Sequence, residues 1–377
     1  MRRKCLVLFL SFWVAVLSLY GCGDGGGGNS GESLPKWTII VFMNDSNSIS
    51  RELAGIDVYE MRRVGSSKHV NILLQRCSVT GEGMVRYFVG EGNLELLETL
   101  PQASPTSPET LLSFVNWCIE NYSAEKYMLI LWERDHPDIW SGLVEWDALL
   151  KVFSSFSSAI DLLVLDSSAK AEIELFDEVK NEVSFIVALQ GVMPDDGFDY
   201  EKVFQKLVGN PSMGAIDVGK SFISNFKELY SNRNDVAISL ISMAKLPTLL
   251  SYLDALGKEL IDYQDSFSLW GVIAQTQSYF INAGEPLNFR DLYDFCEKLK
   301  DLKLSEEANN AIEGLKSSIK DAVLSEWHAD DGVFSSSRGI SAYISSLSGK
   351  EETYGGFAIV NDAQNWYDFL KERLTGL

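Results

Sequence analysis

Five short, nearly unbroken apolar runs limit what this chain can fold into. They are WTIIVFM (Trp37 to Met43), VNILLQ (Val70 to Gln75), YMLILW (Tyr127 to Trp132), IDLLVLD (Ile160 to Asp166) and VSFIVAL (Val183 to Leu189). Each has the length of a strand, and none alternates apolar with polar residues, so both faces of each strand must be covered. Helical patterns lie between most of them, over Glu52 to Val64 and Ser107 to Tyr122. In the second, Leu111, Val115, Cys118 and Tyr122 recur at helical spacing. Strands that alternate with helices predict an α/β fold, a mostly parallel sheet flanked by helices. VRYFV, Val85 to Val89, reads as an extra strand or hairpin arm.

Beyond Leu189 the pattern turns helical. Asp199 to Leu207, Val218 to Tyr230, Leu269 to Phe280, Phe289 to Leu302 and Ser305 to Leu324 read as helices. Val236 to Met243 is a strand candidate, followed by a long helix through Leu260. Near the end GISAYISS and GFAIV read as strands, and DAQNWYDFLKERL as a final amphipathic helix. No Pro/Gly/Ser-rich linker and no repeat divides residues 37–377. The expectation is one integrated α/β domain with a helical C-terminal part.

The first 36 residues are of another kind. Arg2, Arg3 and Lys4 precede an apolar stretch, Cys5 to Tyr20, too short to span a bilayer comfortably. Leu19-Tyr20-Gly21-Cys22 is similar to a bacterial lipobox, which implies cleavage before Cys22 and a lipid on its thiol. Gly23 to Ser33 has no apolar face and reads as a flexible tether. The expected organisation is a lipoprotein signal peptide over 1–21, a tether over 22–36 and one domain over 37–377. The expected location is the bacterial cell envelope, on the periplasmic or extracellular side, with membrane contact through the lipid anchor only.

Charge narrows the partners. Lys plus Arg total 32 and Asp plus Glu 53, a net charge of −21. Such a chain repels nucleic-acid phosphates and anionic lipid, so no nucleic-acid partner is expected. Cys77, Cys118 and Cys296 are widely spaced and read as neither a disulfide framework nor a metal site. With only three histidines in the chain, no metal and no cofactor is expected.

In open α/β sheets, reactive groups gather at the carboxyl ends of the strands. Two such ends are LILWERDHPDIW (Leu129 to Trp140) and LLVLDSSAK (Leu162 to Lys170). With LQGVMPDDGFDYEKVFQKL (Leu189 to Leu207), they resemble the clostripain family of cysteine peptidases. WTIIVFMNDSNSI resembles that family's opening strand. NFRDLYDF (Asn288 to Phe295), GISAY (Gly339 to Tyr343) and NWYDFLKE (Asn365 to Glu372) resemble its C-terminal segments. The resemblance implies a caspase-like fold and, in active members, cleavage after Arg or Lys. It also implies a catalytic histidine after the first of the two strands and a cysteine nucleophile after the second.

At the nucleophile position this chain has Ser168. At the histidine position it has Arg134 when aligned without a gap, or His136 with a two-residue insertion. A serine hydroxyl is almost never ionised without a strong base, and a guanidinium cannot accept a proton. Pro137 and Asp138 replace the glycines that follow the family's histidine. Only about 25 residues separate Trp140 from Asp166, a span just sufficient for one helix. Asp166 and Asp196 correspond to the acids that line the family's pocket for a basic side chain, with Asp195 as the other candidate for the second position. Paired carboxylates there would bind a guanidinium through charge-assisted hydrogen bonds. The expected function is a catalytically inactive homologue that binds Arg/Lys peptides or a protein partner. The alternatives are a residual Arg/Lys-directed endopeptidase using Ser168 and His136, or a structural envelope lipoprotein. Read without the resemblance, Ser168 fits a helix N-cap, Cys118 and Cys77 fit packed thiols, and His69 and His328 fit solvated positions.

Overall fold

The computed structural model describes residues 33–77, 83–134, 148, 150–280 and 286–374. The five apolar runs all form strands, joined in the order the alternation predicts. β1 (Trp37–Asn44) leads through α1 (Ser48–Val64) to β2 (Val70–Cys77). The hairpin β3 (Met84–Gly90) and β4 (Asn93–Leu100) follows, then α2 (Pro108–Asn121) and β5 (Lys126–Glu133). β6 (Ile160–Asp166), α3 (Ile173–Val179) and β7 (Val183–Leu189) complete the parallel part. Next come α4 (Tyr200–Gly209), α5 (Ala215–Leu229), β8 (Ala237–Ser242) and α6 (Leu246–Ile261).

One nine-stranded sheet takes the order β11-β8-β7-β6-β5-β1-β2-β3-β4, with β11 at Val323–His328. The five central strands are parallel, and the flanking pairs at both ends are antiparallel. Strand side chains alternate between faces, so each run feeds two cores. Ile39, Val41 and Trp132 pack with α1, α4 and α5 on one face, while Ile40, Phe42 and Leu131 pack with α2 and α6 on the other. This is why the runs are apolar throughout. Asn47 starts α1 with a capping box to Ser50, and Ser107 caps α2 ahead of Pro108.

The C-terminal part holds α7 (Ser266–Gln275), β9 (Ser278–Phe280), β10 (Pro286–Asp291), α8 (Leu292–Leu299) and α9 (Glu306–Ala322). It then adds β12 (Ser341–Tyr343), α10 (Glu351–Tyr354), α11 (Ile359–Asp362) and α12 (Gln364–Arg373). Strands β12, β10 and β9 form a small antiparallel sheet. The segments NFRDLYDF and NWYDFLKE explain themselves as attachments. Asp291 Oδ1 caps α8 through the Asp294 N–H (2.9 Å), while Oδ2 accepts from the Gln190 amide (3.0 Å) and the Arg338 N–H (2.6 Å). One carboxylate thus ties the small sheet to the end of β7. Asp254 of α6 accepts both the backbone and side-chain N–H of Asn365, docking α12. There Gly257 lets the Trp366 backbone approach where any Cβ would collide.

Several expectations fail here for physical reasons. GFAIV is no strand; its last residues open α11. Phe289 to Leu302 is a strand turning into a helix at Asp291, because that residue is an N-cap. Leu269 to Phe280 likewise ends its helix at Gln275 and resumes as β9. β4 and β11 are edge strands, whose weak apolar patterns carry little signal. His328 is not solvated: its side chain is 9% exposed, with Nδ1 2.7 Å from Glu326.

Glu174 of α3 is buried and accepts the Tyr343 N–H (2.9 Å) and the Tyr354 hydroxyl (2.8 Å). Burial pushes its carboxyl up to about 7, with those hydrogen bonds only partly offsetting it. The folded state therefore binds this proton more tightly than the unfolded chain. The associated stability is full below the unfolded value near 4.5 and is lost as pH rises through about 7. Glu174→Gln, which mimics the protonated acid, should gain melting temperature relative to the native chain between about pH 5 and about pH 8. An equal difference at both pH values would contradict this.

Candidate active site

Crossings along the sheet reverse at β1 and β5, which places a crevice at the carboxyl ends of the central strands. Asp166 closes β6 there and is fully buried. Arg134 follows β5 directly, with its side chain 5% exposed. Its Nη2 donates to Asp166 Oδ1 (2.9 Å) and Oδ2 (3.1 Å) and lies 3.5 Å from Asp57 Oδ2. Its Nη1 donates to the carbonyls of Pro194 (3.1 Å) and Asp195 (2.9 Å). The guanidinium carbon sits 5.1 Å from the Trp132 ring centroid. Tyr200 donates its hydroxyl to Asp166 Oδ2 (2.6 Å), and Trp132 donates Nε1–H to Asp57 Oδ2 (2.6 Å). Gly197, at φ +64°, abuts the guanidinium so closely that a Cβ would collide with it.

Burial by itself lowers the Arg134 pKa, but the charges of Asp166 and Asp57 outweigh it and hold the guanidinium above its ordinary value. Burial, reinforced by Asp166, pushes the Asp57 carboxyl up to about 8. Burial and the neighbouring charge thus favour the protonated form of Asp57, which shares the guanidinium with Asp166. A buried charge needs such a partner, and here one guanidinium nitrogen reaches both oxygens of the Asp166 carboxylate.

Ser168 is half-buried, and its Oγ accepts the Met193 N–H (3.0 Å). It is not a helix cap: α3 begins at Ile173, and Glu172 stands at its N-cap position. Ala169 is the one non-glycine residue at positive φ (+50°) among the described residues. Such a conformation costs about 1–3 kcal/mol and persists only where the surroundings impose it. Three backbone bonds do so: Ala169 N–H to the Gly191 carbonyl, and Lys170 and Ala171 N–H to that of Leu189. His136 lies outside the described residues, as do Trp140 and Cys22. Among the described residues no imidazole is hydrogen-bonded to Ser168 or to a thiol.

Asp166 is buried, whereas Asp195 and Asp196 are exposed and line a groove of about 680 Å³ with Met193, Pro194, Tyr230 and Arg233. Tyr230 fixes the loop by donating to the Gly197 carbonyl (2.7 Å). Cys77 ends β2 with its N–H on Asp45 (2.8 Å). Burial, reinforced by Asp45, pushes its thiol up to about 11, the wrong direction for a nucleophile. Cys118 and Cys296 are fully buried. Just after Ser168, burial lowers the Lys170 amine and raises the Glu172 carboxyl, each partly offset by the other. Among the described residues no group of three or more His, Cys, Asp or Glu is placed to hold a metal ion.

Sequence reasoning missed Asp57 and Tyr200. Asp57 carried a signal: it falls on the buried stripe of α1 with Ala54, Val58 and Met61, where a charge needs a partner. Tyr200 stands three residues after Gly197, in the Gly-Phe-Asp-Tyr segment.

A mostly parallel sheet between two helical layers, with its polar cluster at the carboxyl ends of β5 and β6, defines a caspase-like α/β protein. The family model of the clostripain family, Peptidase_C11, matches residues 41–372, and the chain belongs to that family. Among solved structures, an inactive zymogen C11 protease from Parabacteroides distasonis is 18% identical, with a TM-score of 0.69 over 88% of this chain and 98% of that one. A secreted C11 cysteine protease from Bacteroides thetaiotaomicron, bound to an irreversible peptide inhibitor, is 17% identical, with a TM-score of 0.63 over 89% and 99%. At these identities the likeness concerns the fold. No curated protein matches the chain.

Removing the guanidinium alone would strand the Asp166 charge in the core. Arg134→Met should lower unfolding free energy by about 3–5 kcal/mol in urea titration, and adding Asp166→Leu should restore much of it. A loss no larger than that of a surface substitution would show that the pair is not formed.

Proposed function

We propose that this chain is a non-hydrolytic member of the clostripain family that binds a Lys- or Arg-bearing segment of a partner outside the cell. The observation that carries this reading is the Arg134 guanidinium on Asp166. At the end of β5 a permanent cation stands where the ungapped resemblance puts a proton acceptor, and it occupies Asp166 from inside the fold. The Ser168 hydroxyl supports the same reading. A hydroxyl needs a general base for attack, and this one is turned toward the Met193 N–H.

With Asp166 enclosed, the acids that an external basic side chain meets are Asp195 and Asp196 in the outer groove. Arg233 partly neutralises them but is itself paired with Asp235 (2.6 Å). The groove thus keeps anionic character, and the chain's net charge of −21 adds long-range attraction for cations. The lipobox-like Leu19-Tyr20-Gly21-Cys22 and the glycine-rich tether support anchorage to the envelope, and the secreted relative is in keeping with a site outside the cytoplasm.

Incubated with Arg- and Lys-ending peptide reporters, the purified protein should give no turnover. Turnover abolished by Ser168→Ala or His136→Ala would overturn the non-hydrolytic reading. A fluorescent Arg peptide should bind saturably and more weakly to Asp196→Asn. Binding indifferent to Asp196→Asn would remove the groove from the reading. In membrane fractionation, Cys22→Ser should move the protein from the membrane to the soluble fraction; retention in the membrane would argue against the lipid anchor.

A further inference from the structure

The free edge of the nine-stranded sheet offers a second surface, remote from the crevice. β4 ends the strand order, so about half of its backbone N–H and C=O groups point away from β3, with no strand beside them among the described residues. β4, NLELLETL, has no lysine or proline; what guards it against non-specific pairing is two glutamates and one bulge, and these same features select a partner. We propose that β4 is a docking strand for an extended, lysine-bearing segment of a partner protein, added to the sheet by β-augmentation.

The register of the hairpin specifies the partner's chemistry. Phe88 pairs with Glu95 and Arg86 with Glu98, while Tyr87 pairs with Leu96, so one extra residue bulges between the two glutamates. Without that bulge, residues 95 and 98 would point to opposite faces. With it, both carboxylates stand on the α2 face, where Arg86 lies over Trp117 (5.0 Å) and Phe88 stacks on Tyr122 (5.8 Å). Leu94 and Leu96 take the other face, and Leu96 is 61% exposed. Among the described residues Glu95 has no ion-pair partner. Glu98 accepts from Arg86 (2.8 Å) yet stays 43% exposed. An incoming strand with lysine at alternate positions would meet both glutamates on one face and cover Leu94 and Leu96 with apolar residues on the other.

The edge is also held in place. Arg86 is buried and reaches Gln75 (2.8 Å), Ser113 (3.2 Å) and Glu98, which pins β3 and β4 to β2 and α2. A rigid edge loses little freedom on pairing. A second copy of the chain is a poor occupant, because β4 pairing with itself would bring glutamate rows together across two bodies of net charge −21 each.

The full chain should bind a short labelled peptide of alternating lysine and valine. Hydrogen exchange should slow at Asn93–Leu100 on binding. Glu95→Lys, an exposed substitution, should weaken binding about tenfold. A peptide of equal charge with a central proline should lose binding by a similar factor, because proline cannot continue the ladder. Equal binding of the proline peptide, or no added protection in β4, would reduce the attraction to diffuse charge and overturn the proposal. So would no binding at all, or self-association of the chain through β4.

Discussion

A single ion pair, Arg134 with Asp166, joins the parts of this molecule that meet at the carboxyl edge of the sheet. Asp57 comes from α1, Trp132 from β5 and Arg134 from the residue after it, Asp166 from β6, and Tyr200 from α4; the loop after β7 contributes two carbonyls and Gly197. Once that loop wraps the guanidinium, its own carboxylates, Asp195 and Asp196, are left facing outward. The same geometry satisfies the guanidinium only in part: Nη1 and Nη2 find oxygens, while Nε stays buried without a partner among the described residues.

The physics of the pair is more demanding than that of a surface salt bridge. Both ions are out of water, so desolvation opposes them, and only close charge-assisted contact with further hydrogen bonds offsets that cost. The structure supplies these from the Tyr200 hydroxyl and the Pro194 and Asp195 carbonyls. Burial and the Asp166 charge push the Asp57 carboxyl upward, toward its protonated form. Among the described residues no side chain of this cluster is hydrogen-bonded to Ser168, whose Oγ accepts a backbone N–H.

The central fold was legible because its signal is redundant. Five apolar runs with intervening helical periods admit little besides a doubly covered parallel sheet, and each forms a strand. The C-terminal part was less legible because single residues decide its boundaries. Asp291 ends a strand, caps a helix and ties a second sheet to β7 at once, and no periodicity announces that. At the site, residue identity alone singled out Ser168, Asp166 and the choice between Arg134 and His136, of which His136 lies outside the described residues. Which residue would partner Asp166 was not visible, since an arginine following a strand can as easily turn to solvent. Asp57 lies far away in sequence, and only the fold brings it to Arg134.

The central claim is that Arg134 occupies the acid pocket from within. It is tested most directly by a crystal structure of the protein grown with a saturating arginine-containing peptide. The Arg134 guanidinium should remain within hydrogen-bond distance of both Asp166 oxygens, with any peptide guanidinium outside, near Asp195 and Asp196. A peptide guanidinium seated on Asp166, with Arg134 turned out to solvent, would contradict it.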